Sequence, residues 1–368
     1  MLHANRRIAQ VEKFELKNYN SIIYKIMNKS NLFRIILLFV VVLFISCNDK
    51  EELSNKVTEV YVVGWKLNKQ KIRAATLWKN GKEQNLSDGT YETSAYSVYV
   101  SENDVYVAGY EENSQGYHVA TLWKNSVAQY LSDGNSHAEA NSVYVSGNDV
   151  YVAGWDKGIA TLWKNGIAQN LTDNTRLAFA ISVYVLGNDI YVVGYESTPN
   201  PSDYDYMIKP NLIAKLWKNS VEQNLSDETG YDIAYSVYVS GNDVYVAGGC
   251  YTAKLWKNGI VQNLPNGTSA NSVYVAGENV YVAGEDYNYI IQYNSAAKLW
   301  KNGKVQELSK ESYETSAYSV YVSESDVYVA GYKKNLDGYQ VAALWKNGVV
   351  QDLSDGSSDA MANCVFVK

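Results

Sequence analysis

The residue types that carry most enzyme chemistry are scarce in this chain. Its cysteines are Cys47, Cys250 and Cys364, and its histidines His3, His118 and His137. None of the cysteines falls at metal-ligand spacing, and three are too few to staple a domain of this size. Cys250 and Cys364 stand at non-equivalent places in different repeats, which argues against a bridge between them. A histidine-based site would have to draw on His118 and His137. Carboxylates are more plentiful. An Asp recurs in a Leu-Ser-Asp-Gly-like corner at Asp88, Asp133, Asp173, Asp227 and Asp355, and is replaced by Asn266 and Lys310 elsewhere. A ring of acids would suit cations, but an Asx turn on the local backbone is the simpler role for Asp in such a corner. Asp203, Asp205 and Glu285 are the loop carboxylates from which a glycosidase pair would be drawn, and no spacing selects two of them. No metal and no cofactor are expected, and a non-enzyme is the expectation.

These residues hang on a repeat. Leu-Trp-Lys-Asn occurs seven times, at Trp78, Trp123, Trp163, Trp217, Trp256, Trp300 and Trp345, with intervals of 45, 40, 54, 39, 44 and 45 residues. A period of this length built from short β segments indicates propeller blades rather than a helical solenoid. Within Ser97–Ser132, Ser97–Val100 reads as one strand, Val105–Tyr110 as its return, Ala120–Lys124 as a third and Val127–Leu131 as a fourth, here a, b, c and d. The c–d turn is usually Asn-Gly, a strong hairpin signal because both residues accept positive φ. The Val-Tyr-Val strands are apolar on both faces, as blades packed between neighbours require. Their tyrosines, like the tryptophans, are expected to pack between blades.

The repeat is offset. The first unit, Glu59–Gly64, starts at strand b, and the chain ends on an unpartnered strand a, Asn363–Val367. The expected fold is therefore all-β: a seven-bladed propeller of four-stranded blades over 59–368, closed by the C-terminal strand joining the first blade. The hairpin pattern resembles the kelch and bacterial seven-bladed β-propeller repeat families, in which a buried strand leads through a tight turn into a Tyr-Val-x-Gly strand. It departs from kelch in having one Gly after most b strands, Gly248-Gly249 being the doublet. The resemblance bears on fold, since propellers host unrelated activities.

Ahead of the repeats lies an address. Basic residues up to Arg34 precede the apolar run Ile35–Ile45 and then Ser46-Cys47, the order of a signal peptide and too short a run to span a bilayer comfortably. Ser46-Cys47 resembles the lipobox of bacterial lipoproteins, with Phe44 where Leu is usual and Ile45 where a small residue is usual. The resemblance implies lipidation at Cys47. Lys50-Glu51-Glu52 resembles the export signal of surface lipoproteins. The organisation expected is a leader, 1–26, with Met27 as the start, a lipoprotein signal peptide, 27–46, and a polar tether, 47–58. The chain is then placed in the bacterial cell envelope, lipid-anchored at the outer membrane and surface-exposed.

The net charge is −7, and residues 1–47 hold seven basic and two acidic residues, so the remainder carries about −12. That field repels a phosphate backbone, and nucleic acid is not expected as a partner. A monomer that binds a protein or a glycan is expected. The b–c and d–a loops vary and emerge on one face, where a rigid scaffold places specificity. The longest b–c loop, Tyr195–Ala214, carries Tyr204, Asp205 and Tyr206, two rings flanking an acid, and these are the expected ligand-binding residues. Catalysis needs a unique site, yet Tyr91–Gly109 and Tyr313–Gly331 match at 18 of 19 positions. A glycan-active hydrolase and a purely structural envelope protein are the alternatives.

Overall fold

Short β-branched and aromatic strands joined by tight turns fold, in a computed structural model, into seven antiparallel sheets of four strands each. The structure describes residues 58–198, 211–228, 230–288, 294–308 and 314–368. The second blade shows the pattern: a at Thr93–Ser101, b at Asp104–Glu112, c at His118–Lys124 and d at Val127–Tyr130. The a strands of the next five blades are Ala138–Ser146, Ala178–Leu186, Ala234–Ser240, Ser269–Ala276 and Thr315–Ser323. The seventh a strand is Ala360–Val367, which pairs with Val60–Leu67 and completes the first blade. Backbone bonds between Glu59 and Lys368 seal that junction in both directions. The expected seven blades and C-terminal closure are both present.

Each repeated residue has a place in this design. The seven Leu-Trp-Lys-Asn tryptophans are at most 2% exposed and pack between a blade and its neighbour. Trp217, for example, joins Leu162, Ala180 and Val183 in one cluster. The lysine that follows lies 5.0–5.2 Å above the ring of the b-strand tyrosine in all seven blades, a cation–π arrangement. In six blades it also pairs at 2.6–2.8 Å with the acid that opens strand b. Asn279 replaces that acid in the sixth, where Asn302 donates to it. The motif's asparagine opens the c–d turn with φ near +50°, followed by Gly or Ser also at positive φ. Its Oδ1 accepts the amide one residue into strand b, at 2.9 Å for Asn125 and Val105. The Gln of strand d reaches to the next blade's turn, as Gln84 Nε2 does to Ser126 Oγ.

The b-strand tyrosines pack between blades as expected, and the a-strand aromatics pack against the same inter-blade clusters while forming a further feature at the axis. Tyr99, Tyr144, Tyr184, Tyr238, Tyr274, Tyr321 and Phe366 contact one another in a closed ring, with neighbouring centroids 4.7–5.0 Å apart. Strand a is the innermost strand, so its aromatic side chains, while packing against the neighbouring blade, also meet one another around the axis. Burial and the adjacent phenols hold the Tyr144, Tyr184 and Tyr274 hydroxyls well above their ordinary range.

Candidate functional site

A cavity of about 950 Å³ opens at the mouth of the axial channel on the b–c and d–a face. A backbone irregularity repeated in every blade builds it. The a–b ladder skips one residue of strand a, between Ala95 and Ser97 and at the equivalent place in each blade. Such a bulge kinks the strand and re-aims the unpaired side chain. The seven bulged residues, Tyr96, Asn141, Ile181, Tyr235, Asn271, Tyr318 and Asn363, all line the funnel. The bulge explains the Gly of Tyr-Val-x-Gly. At Gly109 a Cβ would sit inside the contact radius of the Ser94 carbonyl, and the same clash recurs at its six counterparts.

The residue after the bulge forms the floor. Six serines there each accept the amide of the next blade's a-strand valine at 3.1–3.3 Å, from Ser97 with Val143 round to Ser319 with Val365. Cys364 takes the seventh place, where burial pushes the thiol up and the Val98 amide and neighbouring serines pull it back. Three bulged asparagines bridge to the next blade's carbonyls at 2.9 Å, Asn363 Nδ2 reaching Ala95 across the closure.

Above this symmetric base the wall does not repeat from blade to blade. Trp155, Phe179 and Tyr195 form a continuous aromatic run, edge-on at 5.2 Å and then stacked at 5.0 Å. Glu139 and Glu285 supply carboxylates. Glu139 Oε1 lies 2.8 Å from His118 Nδ1, and His118 stacks on Tyr110 at 3.9 Å. The His118 amide donates to His137 Nδ1 at 3.1 Å, so the fold brings the two histidines of the repeat region together. Glu285 accepts the Ser316 hydroxyl, and Ser316 lies 2.9 Å from Ser295. Burial raises the Glu285 carboxyl, the Ser316 bond lowers it and the Glu314 charge raises it further, leaving it above its usual range.

Of the sequence-derived candidates, Glu285 lies in this wall. Tyr204, Asp205 and Tyr206, with Asp203 and Cys47, lie outside the described residues. Asp88, Asp133, Asp173 and Asp355 accept the amide two residues on at 2.8–3.1 Å, the Asx turns expected. Cys250 and Cys364 carry thiols and both line the funnel. Among the described residues no cluster of three His, Cys, Asp or Glu suits a metal ion. The bulged residues and Glu139, Trp155 and Phe179 went unnoticed in the sequence. The signal for the bulge was the b-strand Gly, which needs a backbone atom close against it.

No protein family profile and no curated protein matches this chain. Solved structures do. A puromycin-hydrolyzing peptidase of Mycobacterium tuberculosis aligns at 10% identity and TM-score 0.51, covering 80% of this chain and 51% of that one. The β-propeller domain of the Trilobed protease from Pyrococcus furiosus, described as an open velcro topology, aligns at 11% and 0.48, covering 82% and 95%. The computationally designed Ika8 protein aligns at 17% and 0.41, covering 80% and 86%. The likeness is one of fold.

Proposed function

We propose that this chain is a lipid-anchored extracytoplasmic protein whose propeller acts as a non-catalytic binding module, with the axial funnel as its ligand site. The observation that carries the reading is the non-repeating wall of Trp155, Phe179, Tyr195 and Glu285 raised on a seven-fold base. Blade-building needs only the symmetric part. The aromatic run offers flat apolar area, and the asparagines and serines below it offer donors and acceptors, the mixture that fixes a ligand's orientation. Both wall carboxylates already have partners, His118 and Ser316, which suits recognition better than proton transfer. The anchor is inferred from the basic, apolar, Ser46-Cys47 order. One acyl chain binds membranes only marginally and two or more hold firmly, so Cys47→Ala is expected to leave the detergent phase or to block processing.

The test of the site is a glycan and protein-partner array probed with the native chain and with Trp155→Ala. Hits lost in the variant, with its melting temperature retained, support the reading. Hits that ignore Trp155 place the site elsewhere. A second reading, a glycan-active hydrolase, draws on the raised carboxyl of Glu285, a property expected of a general acid. Product released from an array ligand would favour it.

A further inference from the structure

The funnel's chemistry is specific in sign. Among the described residues its lining holds Glu139 and Glu285 and no Lys, Arg or His. Seven aromatic rings share that lining: Tyr96, Trp155, Phe179, Tyr195, Tyr235, Tyr287 and Tyr318. Aromatic faces carry negative potential and attract a cation seated within about 6 Å of the ring centre, more strongly where water is excluded. The same faces give nothing to an anion, and the −12 carried by residues 48–368 adds a field of matching sign. We propose that the funnel binds an organic ammonium, with the aromatic wall around the nitrogen's alkyl groups and the carboxylates of Glu139 and Glu285 supplying the counter-charge. This rests on the binding reading above and names the ligand class for that site.

Two further features fit. Glu285 is held above its usual range by burial and by Glu314, so its ionised form lacks a compensating cation. Glu139 Oε1 is held by His118 while its carboxylate lines the same cavity. A cation in the mouth would compensate Glu285. A neutral sugar would use the rings and the asparagines, but would leave the pairing of aromatic wall with two carboxylates and no basic group in the lining without a purpose.

An ammonium can arrive as a free quaternary amine or as a lysine side chain of a polypeptide, and the experiment separates these sources. The full chain, in detergent, is titrated calorimetrically with choline, with Nα-acetyl-lysine methylamide, and with the neutral isostere of choline in which a tert-butyl group replaces the trimethylammonium. Native protein is expected to bind one of the cations about tenfold or more tighter than the neutral isostere. Choline binding the tighter points to a free amine, and the lysine mimic the tighter points to a protein ligand. Glu139→Gln with Glu285→Gln should reduce the preference to what the rings alone supply. Glu285→Asp, which keeps the charge, should retain part of it. Equal affinity for cation and isostere, or an undiminished preference in the double Gln variant, overturns the proposal. If neither cation binds but an array ligand binds in a Trp155-dependent way, the ammonium is refuted and the binding site stands. If no probe of any class binds, both readings fall.

Discussion

Removal of the closing strand, residues 360–368, tests the architecture most directly. Ala360 and Ala362 are fully buried in the first blade, Val365 is 3% exposed and Val367 4%. Full burial of a valine contributes roughly 1.5–3 kcal/mol, so the two valines alone account for about 3–6 kcal/mol. A native domain has only about 5–15 kcal/mol in total, so the loss is a large fraction of its stability. Deletion also uncovers the edge of Val60–Lys66, which is otherwise paired along its length, and an exposed apolar edge invites association. The deleted protein is therefore expected to self-associate in size-exclusion chromatography with light scattering and to melt far below the native chain. Two point variants isolate packing from closure. Val365→Ala and Val143→Ala remove equivalent side chains from the closing blade and an interior one, both 3–4% exposed. Each should cost about 2 kcal/mol through lost burial and a residual cavity. For a domain of this size, at roughly 2.1 cal/mol/K of unfolding entropy per residue, that is a fall of about 3 °C, with both variants remaining monomeric. A deletion variant that stays monomeric and melts with the native protein would refute the closure of the ring by this strand.

Two more outcomes follow from single positions. Ser126 and Ser220 occupy the c–d turn at φ of 66° and 65°, where five blades have Gly. Ser126→Gly and Ser220→Gly are each expected to stabilise by about 0.5–1 kcal/mol by relieving the left-handed backbone, read as a higher urea midpoint with an unchanged slope. No gain would mean that the serine side chains, such as Ser126 Oγ bonded to Gln84, offset the strain. Glu285 has a folded-state pKa above its unfolded one, so the stability it contributes is complete below the unfolded value and is lost as pH rises through the folded value. Glu285→Gln should therefore gain melting temperature relative to the native chain near pH 8 and lose that advantage near about pH 4. A parallel pair of melting curves across that range would remove the assigned cause, burial of the charge.

How much of this was legible beforehand depends on the distance over which each cause acts. The Asn-Gly turns, the Asx corners, the Trp spacing and the unpartnered terminal strand are local or periodic signals. The blade count and ring closure follow from them because a short apolar sheet can be buried only against copies of itself. The Val-Tyr-Val run foretold packing between blades but not the aromatic ring that its tyrosines close around the axis. Burial pattern reports that a side chain leaves water, not whether it also meets its counterparts at the axis, and only the ring geometry brings Tyr99 and its counterparts together there. The site is further from the sequence still. Glu139 and Trp155 face each other across the a–b ladder of one blade, but Phe179 and Glu285 come from two others, and nothing in the spacing relates the three blades' contributions. They meet because the bulge opposite each b-strand Gly opens the funnel, and because circular closure carries strands far apart in the chain to one mouth. Repetition thus wrote the scaffold into the sequence seven times over, while the few side chains that break the repeat acquire a common environment only when the ring closes.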